Sequence, residues 1–197
     1  GEAMAEAAHL PLDYPEAAVV EESSLADQNL VLAAELPDRP LVLGGCCCSH
    51  VGAVEGLAAR HDAIALVWLD AHGDLNTTET SPSGNAWGMP LRMLIDAGMV
   101  EAGNVALVGA RNLDPPEVEF IERSGLHAGE DAVDRALEGC SCVYVAFDAD
   151  SVEEGELASF MPEPQGLRLD EVETILADVR GRSTLIGAGL SGLAPDP

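Results

Sequence analysis

Ile64-Ala-Leu-Val-Trp-Leu69 runs without a break into Asp70-Ala-His72-Gly-Asp74. An apolar run of this length, bounded by polar residues, reads as a strand buried on both faces. The two acids and the histidine therefore stand at its carboxyl end. Val143-Tyr-Val-Ala-Phe147 leads in the same way into Asp148-Ala-Asp150. Open α/β sheets place their ligand sites at the carboxyl ends of strands. Carboxylates gathered so closely repel one another unless a cation lies between them. One such cluster alone is equally well read as turn and capping acids. Two clusters, each flush with an apolar strand, point to a metal centre.

Outward from these two strands the pattern alternates. Leu25–Leu36 reads as a helix stopped at Pro37-Asp38, Leu41–Leu43 as a short strand ended by Gly44-Gly45, and Val51–Arg60 as a helix. After Leu69 a polar loop covers 76–86. A helix is expected over Gly88–Ala97, a strand over Val105–Val108, and a helix over Pro116–Arg123 opened by Asp114-Pro115. Asp131–Leu137 reads as helical, Glu153–Pro164 as a long loop, Asp170–Val179 as a helix with Asp170 as N-cap, and Thr184–Leu190 as the last strand. Strands alternating with helices imply an α/β fold with a largely parallel sheet covered on both faces. No repeat or linker divides the chain, so residues 1–197 are expected to form one domain, with about the first 24 unassigned.

The composition is globular, with 47% hydrophobic and 22% charged residues. Acids outnumber bases 35 to 9, every base is Arg, and the net charge is −26. That balance argues against binding nucleic-acid phosphates and favours metal cations and small cationic molecules. It equally suits a chain adapted for solubility or high salt. No apolar run is long enough to span a membrane, and Gly1-Glu-Ala-Met4 shows no signal peptide. Cys46, Cys47, Cys48, Cys140 and Cys142 are odd in number and lack a disulfide or CxxC pattern, so reduced thiols and a cytoplasmic setting are expected.

Five segments occur in order: Asp70-Ala-His-Gly-Asp-Leu-Asn76, Ser83-Gly-Asn85, Gly109-Ala-Arg-Asn-Leu-Asp-Pro115 with Glu117, Asp148-Ala-Asp150, and Pro162-Glu-Pro-Gln-Gly-Leu167. Together they resemble the arginase/agmatinase (ureohydrolase) superfamily over residues 41–195. The resemblance implies a three-layer α/β/α fold, a homo-oligomer, and two Mn2+ ions bridged by a hydroxide that attacks a guanidinium carbon. It implies Asp70 and Asp148 as carboxylates reaching both ions. Asp74 is implied as a ligand of one ion and as the catalytic residue that orients the hydroxide, with His72 and Asp150 on the other ion. It further implies Asn76, Ser83, Asn85, Asp114 and Glu117 on the substrate side, although Asp114 and Glu117 also suit the start of a helix. Arg111 reads as structural.

Three positions depart from that pattern. Cys47, in Gly44-Gly-Cys-Cys-Cys48, stands where the first metal-binding histidine is expected. A thiolate ligand there would favour Zn2+ or Fe2+, or leave a single ion. His50, three residues on, is a second imidazole source or else a helix-surface residue. Trp87 replaces a histidine held to shuttle protons or hold substrate; indole cannot exchange protons near neutrality, but it offers a cation–π face. Gly192 replaces an acid that grips the guanidinium. The reading is a metal-dependent hydrolase cleaving a non-peptide C–N bond of a linear amidine, guanidino-type or related amide-like substrate. The alternative is an inactive, metal-binding pseudoenzyme with a structural or regulatory role. A deacetylase on a related fold matches the motifs less closely.

Overall fold

The computed structural model describes residues 19–194. The reading of Gly1–Met4 and the last residue of the resemblance over 41–195 lie outside the described residues. Six parallel strands form a single sheet in the order β1-β6-β5-β2-β3-β4. They are β1 (Leu41–Leu43), β2 (Ile64–Leu69), β3 (Val105–Val108), β4 (His127–Ala128), β5 (Cys142–Asp148) and β6 (Thr184–Ser191). Helices α1 (Leu25–Glu35), α2 (Ser49–Ala58), α3 (Pro90–Asp96), α4 (Pro115–Ser124), α5 (Ala132–Ala136) and α6 (Leu169–Arg182) complete the three-layer α/β/α arrangement.

Successive strand residues point to opposite faces, and β2 separates accordingly. Ile64, Leu66 and Trp68 join a core with Val54 and Leu57 of α2 and Leu91 and Leu94 of α3. Ala65, Val67 and Leu69 join a second core with Ala132 and Ala136 of α5 and Val172 and Val179 of α6. All six residues of β2 are buried, because both faces carry helices. Within the first helical layer, α1 and α2 approach closely at Gly52 and Gly56. A Cβ at either position would lie 2.6 Å from a backbone oxygen of α1, of Asn29 or Ala33 respectively.

Local chemistry sets the element ends. Ser24 caps α1 by accepting from the Asp27 N–H at 3.1 Å, and Pro37 follows the helix. Pro115 opens α4, and Gly125 closes it at φ +80°. Several elements differ from the expectations. α2 starts at Ser49 rather than Val51, which places His50 inside the helix. The segment from Gly88 divides into a 3-10 turn, Ala86–Gly88, and α3 starting at Pro90. α6 starts at Leu169 with Arg168 as N-cap, so Asp170 lies in the first turn, paired to Arg168 at 2.9 Å. The two-residue β4 carries too little apolar pattern to be read from sequence.

The sheet order places the site. β2 pairs with β5 so that Leu69 lies beside Phe147, which makes Asp70 and Asp148 neighbours. The chain leaves β2 toward α3 on one face and β5 toward α6 on the other. Strands whose connections depart to opposite faces open a crevice at their carboxyl ends.

Candidate metal centre

Four segments meet in that crevice. Cys47 comes from the turn between β1 and α2, Asp70, His72 and Asp74 follow β2, Asp148 ends β5 with Asp150 in the 3-10 turn after it, and Ser191 ends β6. Asp70 is central. Its Oδ2 accepts from Trp68 Nε1 at 3.2 Å and from the Cys47 thiol at 3.3 Å. Its Oδ1 accepts from the His72 N–H at 2.8 Å and lies 3.4 Å from His72 Nδ1.

Asp148 likewise faces two ways. Oδ2 accepts from the Cys47 thiol and the Ser191 hydroxyl, each at 2.9 Å, while Oδ1 accepts from the Asp150 N–H at 3.0 Å. Asp150 holds the Ala71 N–H at 3.1 Å and lies 3.1 Å from His72 Nδ1. Asp74, at φ +52°, is only 3% exposed, and its Oδ2 has no hydrogen-bond partner.

The potential ligand atoms fall into two groups, Cys47/Asp70/Asp74 and Asp70/His72/Asp150, each with its atoms within 4.8 Å of one another. Asp70 belongs to both. That sharing suits two neighbouring cations held by one carboxylate. The electrostatics agree. Burial, then the charges of Asp70 and Asp148, holds the Asp74 carboxyl well above the usual range. Burial also raises Asp70, and Asp148 is pushed up to about 7 by burial and by the charges of Asp70 and Asp150. Hydrogen bonds to Asp150 and Asp70 push His72 up to about 10. Burial and the nearby carboxylates push the Cys47 thiol up. Without a cation the pocket retains protons; divalent ions replace them naturally. With the orphaned Asp74 oxygen, the residues present fit a divalent metal pair.

His50 is not on the helix surface, and it belongs to neither ligand group. It is fully buried, and its Nδ1 and Nε2 pair with the Tyr144 hydroxyl at 3.1 Å and the Ser191 hydroxyl at 3.2 Å. Burial lowers its pKa to about 3. The space for this pair exists because residue 189 is glycine; a Cβ there would lie 2.5 Å from both His50 Nδ1 and the Tyr144 oxygen. The sequence suggested neither this layer nor the Trp68 donor. The strand pattern turns Trp68 inward, but the direction of its N–H depends on the tertiary packing.

The substrate-side positions divide. Asn76 Nδ2 donates to Asp114 Oδ2 at 2.9 Å, so these two meet beside the centre. Glu117 is buried, and its oxygens accept from the Leu75 and Asp114 N–H groups, each at 2.9 Å, joining the Asp74 loop to the start of α4. Ser83 is exposed and accepts from the Asn85 N–H at 3.2 Å. Trp87 is 44% exposed on the 3-10 turn, which is tied back by the Asn76 N–H to the Gly88 carbonyl at 3.1 Å. Glu163, given no role from sequence, lies 3.7 Å from His72 Nε2 and accepts from Asn112 Nδ2 at 2.7 Å. Arg111 is structural: it donates to the carbonyls of Gly109, Asp150, Ser151, Glu163 and Pro164. A hollow of about 540 Å³ among Glu55, His61, Asp62 and Glu101 contains none of the converging residues.

A sequence model of the arginase family matches residues 4–197. Arginase of Bacillus subtilis (strain 168) is 35% identical over 140 residues, covering 58% of this chain and 47% of that protein. Arginase of Bacillus caldovelox is 39% identical over 121 residues, covering 52% and 40%. The matched stretches thus span about half or less of these relatives. The crystal structure of the Bacillus subtilis arginase superposes with a TM-score of 0.81 at 27% identity, covering 87% of this chain and 71% of that one.

Proposed function

This chain belongs to the arginase family, and from that premise we propose that it is a metal-dependent hydrolase that cleaves a C–N bond in a linear amidine or guanidino-type substrate. The observation that carries the reading is the pair of ligand groups that share Asp70. Asp70 and Asp148 would reach both ions, with Cys47 and Asp74 completing one shell and His72 and Asp150 the other. Two divalent ions, when bound, polarise water and the carbon it attacks.

The chain's own groups do the rest. Asp74 Oδ2, buried and unpartnered, is available to accept a hydrogen bond from the attacking water and so to orient it. Asn76 and Asp114, linked to each other, offer an amide and a carboxylate to the polar end of a substrate. Trp87, Ser83 and Asn85 line the neighbouring loop, where an exposed indole face suits a cationic group. The net charge of −26 raises the local concentration of cations. An inactive subunit is not favoured, because Asp70, His72, Asp74 and Asp150 come together in two candidate ligand groups, with Asp148 beside Cys47, and the relatives are named as enzymes. A homo-oligomer in the cytoplasm, made of one domain over residues 1–197, completes the proposal; all five thiols are free.

The test is a screen of guanidino, formimino and amide compounds for release of urea, ammonia or amine. Manganese-loaded and zinc-loaded wild type are run beside Asp74→Asn. Turnover of one class by wild type and its loss in Asp74→Asn is expected. A fully metal-loaded wild type that turns over nothing would overturn the reading.

A further inference from the structure

The two ligand groups that share Asp70 differ in kind. Asp70, His72 and Asp150 offer only oxygen and imidazole nitrogen. Such a set suits Mn2+. The other group contains a sulfur. Cys47 is 5% exposed and borders the first core, yet its Sγ lies among oxygens. It lies 2.9 Å from Asp148 Oδ2, 3.2 Å from Ser191 Oγ and 3.3 Å from Asp70 Oδ2. A cysteine serving only to fill the core would not be ringed by polar atoms in this way. Beside it stands the buried, unpartnered Asp74 Oδ2.

Among the described residues, no imidazole competes for that place. His50 is engaged at both ring nitrogens, by Tyr144 and Ser191, and its ring packs edge-on against Trp68 and Tyr144. Cys46, the neighbouring thiol, is half-buried and belongs to neither ligand group.

We propose that the centre is a mixed-metal one, with zinc on the side of Cys47 and Asp74, manganese on the side of His72 and Asp150, and the carboxylates of Asp70 and Asp148 between them. This rests on the metal-dependent reading above and specifies its ions. On binding, the Cys47 S–H bond is replaced by a sulfur–zinc bond, and the proton passes to solvent. Thiolate favours zinc over manganese, and carboxylate with imidazole does not exclude manganese, so the shared Asp70 joins two unlike sites.

The test uses the full chain, freed of metal and equilibrated with equal zinc and manganese, followed by elemental analysis. One zinc and one manganese per chain are expected. Titration with cobalt(II) alone provides a spectroscopic readout, a near-ultraviolet thiolate-to-cobalt charge-transfer band. The band is expected in wild type and in Cys46→Ser and absent in Cys47→Ser. In Cys47→His the preference for zinc over manganese is expected to fall by about tenfold or more. Two ions of one kind per chain with no charge-transfer band would overturn the mixed centre and leave metal-dependent hydrolysis standing. Failure to bind any of the three metals would overturn both. Should Cys47→Ser not fold, the bands of wild type and Cys46→Ser decide the matter.

Discussion

Oδ1 of Asp148 occupies the space into which a side chain at residue 192 would extend, and Gly192 itself lies at φ +72°. The glycine at this position is therefore not a vacancy waiting for an acid. Its backbone conformation and its missing Cβ let the Asp148 carboxylate turn toward Cys47 and Ser191. Gly192→Glu is expected to give no arginine hydrolysis and to weaken metal binding by displacing Asp148. Gly192→Ala should destabilise the fold by about 1–3 kcal/mol from backbone strain, and its Cβ meets the same Asp148 carboxylate. Urea denaturation and metal titration of the two variants test this; normal metal affinity in Gly192→Glu would contradict it.

Arg111 joins three loops through five carbonyls, including those of Asp150 and Glu163. Lysine carries the charge but not the planar array of donors. Arg111→Lys should therefore cost about 2–4 kcal/mol, a few hydrogen bonds to a charged group lost together. It should also lower metal affinity, because the Asp150 turn loosens. Denaturant melts of the metal-free protein separate the first effect from the second.

His72 sets a pH dependence whose sign is fixed by its raised pKa. The metal-free fold holds its proton up to about pH 10, chiefly through hydrogen bonds to Asp150 and Asp70, whereas the unfolded chain releases it near 6.5. The stability this contributes is present below about pH 6.5 and lost as pH rises through 10. The stability difference between wild type and His72→Gln, both metal-free, should thus shrink steadily over that window. A difference independent of pH would show that the imidazole is not protonated in the fold.

Trp87 is an exposed aromatic on the loop that follows Asp74. With a cationic substrate, Trp87→Ala should raise KM by about two- to fivefold, the worth of one exposed cation–π contact, with kcat and metal content unchanged. A fall in kcat at constant KM would instead assign Trp87 to positioning.

Legibility followed the range of the interactions. Five of the clustered side chains could be read because each follows a strand whose apolar run is local information: Asp70, His72 and Asp74 after β2, Asp148 and Asp150 after β5. The helix start at Asp114-Pro115 was read from equally local information. Asp170 was misread as a cap because Arg168, two residues earlier, already ends the extended segment and pairs with it. β4 escaped notice because two residues have no period.

The sequence by itself determined the alternating architecture, the buried central strands, the acid clusters at their ends and the resemblance that named the family, since all of these are periodicities and spacings along one chain. Tertiary structure alone decided what Cys47, His50, Trp68 and Ser191 do. Cys47 and His50 differ by three residues and were open to the same role. The fold directs the thiol at Asp148, 101 residues away, and turns the imidazole into a buried pair with Tyr144 and Ser191. The strand order β6-β5-β2 brings these distant residues together. Burial then sets their hydrogen bonds and charge states, and neither is written in the neighbourhood of any one residue.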